Sequence, residues 1–181
     1  SLPQRFGYLP VSFNIDAESS IWIHAVSVGE TLAARTLIEG LRERYPGLRL
    51  FLSTTTFTGR QLARSRIQGV DAIFFFPFDI PLFVNRTLRL VRPRLFIMVE
   101  TELWPNLLTE CRALGVPVYL LNARLSARSA RRYGRWPNLT RQVLQSLSAI
   151  GAQSADDAAR LTRLGAQKIT VTGNMKFDIA T

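Results

Sequence analysis

Apolar positions in this sequence come in short runs, separated by stretches with helical spacing. The first run, residues 21–26, reads Ile-Trp-Ile-His-Ala-Val and ends in a small Ser-Val-Gly turn. A helical pattern follows at once, with Leu37, Ile38 and Leu41 on one face, and closes at about Tyr45 before Pro46-Gly47. The alternation then repeats. Further strands are predicted at 49–53, 72–76, 95–99, 118–121, 149–152 and 169–172. Further helices are predicted near 60–67 behind a hydroxyl-rich turn at 54–59, over 81–91 behind Pro81, and from a Thr101 cap to Leu114. Two basic helical stretches follow at about 126–134 and 138–147. Ser154 and Asp157 have the spacing of a capping box, for a helix that Gly165 ends. Residues 1–20, with Pro3, Gly7 and Pro10, read as a lead-in, and 173–181 as the start of a linker.

Seven short apolar strands alternating with helices imply an α/β fold over residues 21–172. The expected form is a doubly wound parallel sheet, covered on both faces and connected by right-handed crossovers. There is no internal repeat or low-complexity tract. At 181 residues and 47 % apolar, the chain is one large domain or a domain and a half, with enough material for a sizeable core. The single cysteine, Cys111, excludes an intramolecular disulfide framework and fits a reducing compartment. No run approaches the length needed to span a bilayer, and residues 1–20 lack the apolar centre of a signal peptide.

Charge narrows the function classes less than it first promises. Basic residues number 23 against 13 acidic, a net charge of +10, and only Lys168 and Lys176 are lysines. The planar fork of arginine suits phosphate, although a GC-rich genome gives the same skew. Nucleic acid, an anionic membrane surface and a phosphorylated substrate all stay open. Metal chemistry is disfavoured, since one His and one Cys cannot supply a ligand cluster. Neither a Gly-x-Gly-x-x-Gly fingerprint nor a Gly-Lys-Ser/Thr phosphate loop is present.

In a parallel sheet the ligand crevice lies beyond the carboxyl ends of the strands. Four of those ends carry polar groups: Ser27 to Glu30, Thr54 to Gly59, Glu100-Thr101-Glu102, and Asn122-Ala123-Arg124. Glu30 falls at the start of a helix, where a carboxylate is placed to act as a base or simply to complement the helix dipole. If the first and fourth strands flank the switch point, Glu30 and Glu100 come together. Their proximity raises a pKa and the helix N-terminus lowers it, so the sign of the net shift stays open. His24, mid-strand among apolar residues, reads as a core histidine, and Cys111 as a small core residue. Residues 74–76 read as buried strand and Trp104-Pro105 as helix-start packing. The arginines at 124, 128, 131, 132 and 135 read as a solvated helix face.

Two long motifs add what spacing does not. Trp-Ile-His-Ala-Val-Ser-Val-Gly-Glu at 22–30 and Val-Glu-Thr-Glu-Leu-Trp-Pro-Asn at 99–106 closely resemble the 3-deoxy-D-manno-octulosonic acid (Kdo) transferases of lipopolysaccharide assembly. Ser53-Thr54-Thr55-Thr56 with Thr58-Gly59, Asn122-Ala123-Arg124-Leu125-Ser126 and the closing 172–178 extend the resemblance from about Arg5 to Asp178. It implies the Rossmann-like, acceptor-binding N-terminal half of a GT-B glycosyltransferase. The C-terminal donor-binding half and the family's short hydrophobic anchor are not in this sequence, so the chain alone is expected to be inactive. The implied reaction transfers Kdo from CMP-Kdo to a lipid A precursor with inversion, without cofactor or metal. Its place is the cytoplasmic face of the bacterial inner membrane, against an anionic surface and without nucleic acid. In that reading Glu30 is the general base and Glu100 shapes the site or biases Glu30. The acceptor and its phosphates fall to Ser27, Gly29, Thr54, Thr55, Thr58, Gly59, Arg60, Glu102, Asn122, Arg124, Ser126 and Arg128, with apolar residues of 81–91 dipping into the interface. Two rivals remain: a non-catalytic basic module for membrane or nucleic acid, and an enzyme holding a nucleotide on this sheet.

Overall fold

The structure, a computed structural model, describes residues 2–14, 16, 18–100 and 102–175. Its centre is seven parallel strands: β1 (Ser20–His24), β2 (Arg49–Thr54), β3 (Ala72–Phe75), β4 (Pro93–Val99), β5 (Val118–Ala123), β6 (Ala149–Ala152) and β7 (Ile169–Val171). They lie in the order β3-β2-β1-β4-β5-β6-β7. The chain winds outward from β1 through β2 to β3, then starts again on the other side of β1 with β4. The switch point of this doubly wound sheet therefore lies between β1 and β4, the expected α/β architecture.

Side chains alternate across the strands and build a core on each face. Trp22, Phe51, Phe74, Phe96 and Met98 meet α4 (Pro81–Val91), α5 (Pro105–Ala113) and α7 (Pro137–Gln145) through Val84, Leu107, Cys111 and Val143. On the other face Ile21, Ile23, Leu50 and Ile97 meet α2 (Val28–Arg44) and α3 (Phe57–Arg66) through Ala33, Ala34, Ile38 and Ala63. The small alanines bring α2 close to the strands. Two further helices, α6 (Ala127–Tyr133) and α8 (Ala155–Arg163), follow β5 and β6.

Three segments differ from the pattern-based expectation, each for a long-range reason. The helix expected from a Thr101 cap starts only at Pro105, and Thr101 itself lies outside the described residues. Trp104 stands at the N-cap without a side-chain cap bond. Asp79, from the loop before α4, supplies it instead: its carboxylate accepts from the backbone N–H groups of Asn106 at 3.0 Å and Leu107 at 2.8 Å. The fifth strand runs on to Ala123, which places Asn122 inside it and fully buried. There its side-chain oxygen accepts from the Met175 N–H at 3.0 Å and its carbonyl from Gln153 Nε2 at 3.0 Å. Finally, part of the 1–20 segment packs on the sheet, beginning with a short helix α1 (Leu2–Arg5). Gln4 Oε1 accepts from the N–H of Phe75 on the edge strand β3, and Phe13 packs on Phe51 and Phe74. Gly7, at φ 77°, sits where a Cβ would stand 2.7 Å from the Phe83 carbonyl oxygen, so no larger residue fits. Lys176, Phe177 and Asp178 lie outside the described residues.

Candidate active site

The β1–α2 turn holds Glu30, the candidate base. Ser27 is the N-cap of α2, and its hydroxyl accepts from the Glu30 N–H at 3.4 Å. The Glu30 carboxylate folds back, taking the Val26 N–H on Oε2 at 2.6 Å and the Ser27 hydroxyl on Oε1 at 3.0 Å. This reciprocal arrangement is a variant of the capping box, and the Ser-x-x-Glu spacing announces it in the sequence. Glu30 is only 8 % exposed, and no arginine or lysine among the described residues forms a salt bridge with it. Burial pushes its pKa up. The Val26 N–H and the Ser27 hydroxyl pull it back, the charge of Glu100 pushes it up again, and the balance stays above the ordinary value. That settles the sign left open by sequence. A carboxylate with a raised pKa, fixed at the switch point, has the properties of a proton acceptor.

Glu100 follows β4 with φ 62°, a left-handed conformation a glutamate adopts only when its surroundings impose it, and Asn122 beside it in β5 has φ 54°. The Glu100 N–H donates to the Leu121 carbonyl at 2.9 Å, so the bend stays joined to β5. Glu102 carries a raised pKa, first through lost solvation, then through the charge of Glu30, with Arg132 pulling the other way. The electrostatic couplings thus gather Glu30, Glu100 and Glu102 at one place, as adjacency of β1 and β4 requires.

The β2–α3 turn lies against the same spot. The Thr56 hydroxyl caps α3 by accepting from Gly59 N–H at 3.0 Å, and donates to the Val26 carbonyl at 3.2 Å. A Cβ at Gly59 would stand 2.8 Å from the Thr56 hydroxyl oxygen and 3.3 Å from that same carbonyl oxygen, so glycine here leaves room for the hydroxyl that joins the two turns. Thr54 ends β2, fully buried, and Thr58 and Arg60 occupy the first turn of α3. Arg60 and Arg5 both stack on Phe75, at 4.5 and 4.8 Å, and Arg5 donates to the Thr55 carbonyl. Arg5 was not among the sequence candidates, because its packing depends on a segment read as lead-in. Gly29 lies within the first turn of α2, while Ser126 caps α6 through the Ser129 N–H at 3.1 Å. Ser27 and Ser126 cap helices, Gly59 donates to the Thr56 cap, and Asn122 ties β5 to Met175. Arg128 lies farther along, in an arginine-lined cavity on α6, and Arg124 follows β5.

His24, at the end of β1, is buried and stacks on Phe76 at 4.0 Å, with Trp104 beyond. Burial pushes its pKa down to about 3, against the raising bond to Ser53. It is the core histidine expected, but not a fully satisfied one. Its Nε2, with Thr54 Oγ1, Thr55 Oγ1, Arg60 Nε, Trp104 Nε1 and Asn122 Nδ2, has no hydrogen-bond partner among the described residues. Such atoms usually have one, and here they concentrate at the carboxyl ends of the strands and the helix starts beside them. Among the described residues no group of three or more His, Cys, Asp or Glu is placed to hold a metal ion. None of the described helices is long and apolar enough to cross a membrane.

A cluster of carboxylates and hydroxyls at the switch point of a doubly wound sheet fits a Rossmann-like domain. Comparison with known proteins makes the class specific. The family model described as 3-deoxy-D-manno-octulosonic-acid transferase (kdotransferase) matches residues 1–179, and the chain belongs to that family. The 3-deoxy-D-manno-octulosonic acid transferase of Bordetella pertussis is 40 % identical over 187 residues, covering 98 % of this chain and 42 % of that protein. The Haemophilus influenzae enzyme of the same name is 36 % identical over 182 residues, again across 42 % of its length. The chain thus spans about two fifths of these relatives. Among solved structures, UDP-GlcNAc 2-epimerase from Neisseria meningitidis superposes with a TM-score of 0.60 at 15 % identity, over 89 % of this chain and 48 % of that one. The S. aureus MnaA–UDP structure does so with a TM-score of 0.62 at 16 % identity, over 91 % and 48 %. At such identities the likeness is one of fold.

Proposed function

We propose that this chain is the acceptor-binding half of an inverting GT-B glycosyltransferase that moves Kdo from CMP-Kdo to a lipid A precursor, with Glu30 as the general base. The observation that carries this reading is the Glu30 carboxylate, buried at the switch point, raised in pKa and without a salt bridge among the described residues. In the reaction an acceptor hydroxyl oxygen forms a bond to the anomeric carbon of Kdo as its proton passes to Glu30. The bond from that carbon to the CMP phosphate oxygen breaks, and CMP leaves with the electron pair. The leaving phosphate needs charge stabilisation rather than protonation, so one carboxylate on the acceptor side suffices. A glycosidase differs in needing two. Each carboxylate oxygen has two acceptor positions, so the bonds from Val26 and Ser27 leave Glu30 able to accept the proton.

Glu100 raises the affinity of Glu30 for that proton through its charge, and the charge of Glu30 in turn raises the pKa of Glu102. Thr54, Thr55, Thr58, Arg60, Arg124 and Arg128 are the acceptor-side contacts in this reading. The donor is gripped by a C-terminal domain outside this sequence. The enzyme works against the anionic cytoplasmic face of the inner membrane, with the exposed Phe78, Ile80 and Leu82 around the start of α4 touching the interface. The test is Glu30→Gln in the full-length enzyme carrying this domain, assayed with CMP-Kdo and a lipid A precursor. Transfer is expected to fall by about 10²–10⁴-fold with acceptor binding retained; near-normal turnover overturns the base assignment.

A further inference from the structure

Where the chain leaves the sheet, one side chain holds it. The outermost strand on that side is β7, yet the segment after it turns back over the carboxyl ends of its neighbours. The Thr172 N–H donates to the Ala152 carbonyl on β6 at 2.9 Å, and a Cβ on Gly151 would stand 3.0 Å from the Thr172 hydroxyl oxygen. Gly173 then turns at φ 82°, and the Met175 N–H reaches Asn122 Oδ1 on β5 at 3.0 Å. The Met175 side chain settles on the core beneath α2 and α3. The exit thus lies beside β4 and the site, two strands in from the edge.

The strand is deformed to place that side chain. Leu120 pairs with Ile150 and Ala123 with Ala152, so Leu121 and Asn122 together stand opposite Gly151 alone, in a β-bulge. The extra residue reverses the alternation. Leu120 and Ala123 both enter the core under α4 and α5, whereas Leu121 packs with Met175 on the other face. Asn122 takes φ 54° within this bulge, a conformation that glycine adopts at no steric cost. What asparagine adds there is its side chain. It is fully buried, its Oδ1 is given to Met175, and its Nδ2 has no partner among the described residues. The Leu121 carbonyl, one residue before, accepts from the Glu100 N–H, so exit segment, bulge and carboxylate bend form one run of bonds.

We propose that Asn122 is a positioning residue, which clamps the exit segment to the bulge beside Glu100 and so sets the second half of the enzyme against Glu30. This rests on the function proposed above, in which a donor-holding half follows the segment. Donor and base then belong to separate bodies, and their alignment depends on the chain that joins them. A joint fastened as far as Met175 leaves fewer relative orientations than one that swings from the edge strand at Val171. Attack on the anomeric carbon needs the reacting atoms in near contact, where a misplacement of about 1 Å costs about 10²-fold in rate. Asn122 touches neither substrate in this account; its effect passes through the segment it holds.

The test uses the full-length enzyme carrying this domain. Asn122→Gly keeps the bulge conformation and removes the acceptor. Asn122→Asp keeps an acceptor oxygen for Met175 in a residue that also tolerates a positive φ. Hydrogen exchange at the Met175 amide, read by mass spectrometry, is expected to be at least about tenfold faster in Asn122→Gly than in the wild type, and slow again in Asn122→Asp. In assays with CMP-Kdo and a lipid A precursor, kcat of Asn122→Gly is expected to fall about 10²-fold, with both KM values held. Met175→Pro, which removes the donor and leaves the bulge alone, should repeat that loss. A merely structural role would lower the melting temperature and leave kcat of the folded enzyme as it was. Unchanged exchange at Met175 in Asn122→Gly, or wild-type kcat in either variant that breaks the bond, overturns the clamp. Failure of the function proposed above shows instead as absence of transfer by the wild type, and the exchange measurement then decides the clamp without any activity.

Discussion

Replacing Glu30 by Gln and by Ala separates its two roles. Glu30 holds the Val26 N–H at 2.6 Å and the Ser27 hydroxyl at 3.0 Å, and both partners belong to the turn that starts α2. Glutamine keeps an acceptor oxygen for Val26 and offers an N–H to Ser27, whose hydroxyl accepts as well as donates. The box survives, which is why glutamine serves at this position in other helices. Charge-assisted bonds are exchanged for weaker neutral ones, but a desolvated charge disappears too. The two terms oppose each other, and the net change is expected to stay within about 1 kcal/mol. Alanine removes both bonds and leaves a partly buried N–H without its acceptor. Cap losses of about 1 kcal/mol and unsatisfied donors of about 1–3 kcal/mol place its cost near 2 kcal/mol. For a domain of this size that is about 4–8 °C in melting temperature.

The pH dependence has a definite sign. A raised carboxyl pKa means the folded state holds the proton more tightly than the unfolded chain. The contribution of Glu30 is therefore fully present below the ordinary value of 4.5 and is lost as pH rises through the folded value. Relative to Glu30→Gln, the wild type should lose ground across that window. Thermal melts of the three proteins from pH 4 upward, followed by circular dichroism, check both claims. If Gln and Ala melt alike at pH 7, or the wild type gains on Gln as pH rises, the capping and burial argument is wrong, whatever the activity shows.

Three further outcomes are expected. Asp79→Ala leaves the Asn106 and Leu107 N–H groups at the start of α5 without their acceptor, and should cost about 2 kcal/mol in chemical denaturation; an unchanged midpoint would mean that the cap is supplied from elsewhere. His24, with its pKa lowered to about 3, is neutral in the fold but takes a proton in the unfolded chain below about 6.5. Stability should therefore fall with decreasing pH across that range, by up to about 1.4 kcal/mol per pH unit, and His24→Gln should flatten the slope. Cys111, fully buried and with its thiol pushed up to about 12, should resist iodoacetamide at pH 8 until the protein unfolds; alkylation of the native protein, read by mass spectrometry, refutes that.

What sequence pattern reveals here and what it hides follow from the range of the interactions. Runs such as 21–26 and 74–76 announce strands because the side chains themselves supply burial, and the alternation with helices leaves little choice of topology. The start of α5 is invisible to such reasoning because Asp79, which caps it, lies 27 positions from Asn106. Local rules read Thr101 as the nearer cap. Asn122 reads as a loop residue by type, yet β6 continues to pair with β5 as far as Ala123, and the strand is carried past it. The role of residues 2–14 depends on the edge of β3 that they cover, which no window along the chain contains. The arginine face of α6 is the converse case. Its spacing is plain in the sequence, but which carboxylates lie opposite it is decided by the tertiary fold, which sets Glu102 toward Arg132. Only the folded chain shows that none of its four arginines is bridged among the described residues.

The capping box also changes how the proposed base should be understood. A general base works when its oxygen is held within reach of the hydroxyl it deprotonates, and a flexible glutamate on a surface turn would have to be ordered in every cycle. Here the ordering is done by folding. The bonds that complete the first turn of α2 also fix both oxygens of Glu30, and the contact of Thr56 with the Val26 carbonyl fixes the turn. The same N–H and hydroxyl donors that orient the carboxylate also lower its proton affinity, which by itself makes a poorer base. Burial and the charge of Glu100 act against them and leave the pKa raised. Rigidity thus comes from the helix start after β1, whereas basicity comes first from burial and then from the charge of Glu100 at the end of β4. Only a sheet that sets β1 beside β4 brings the two together, which ties the placement of the base to the topology of the fold rather than to the motif alone.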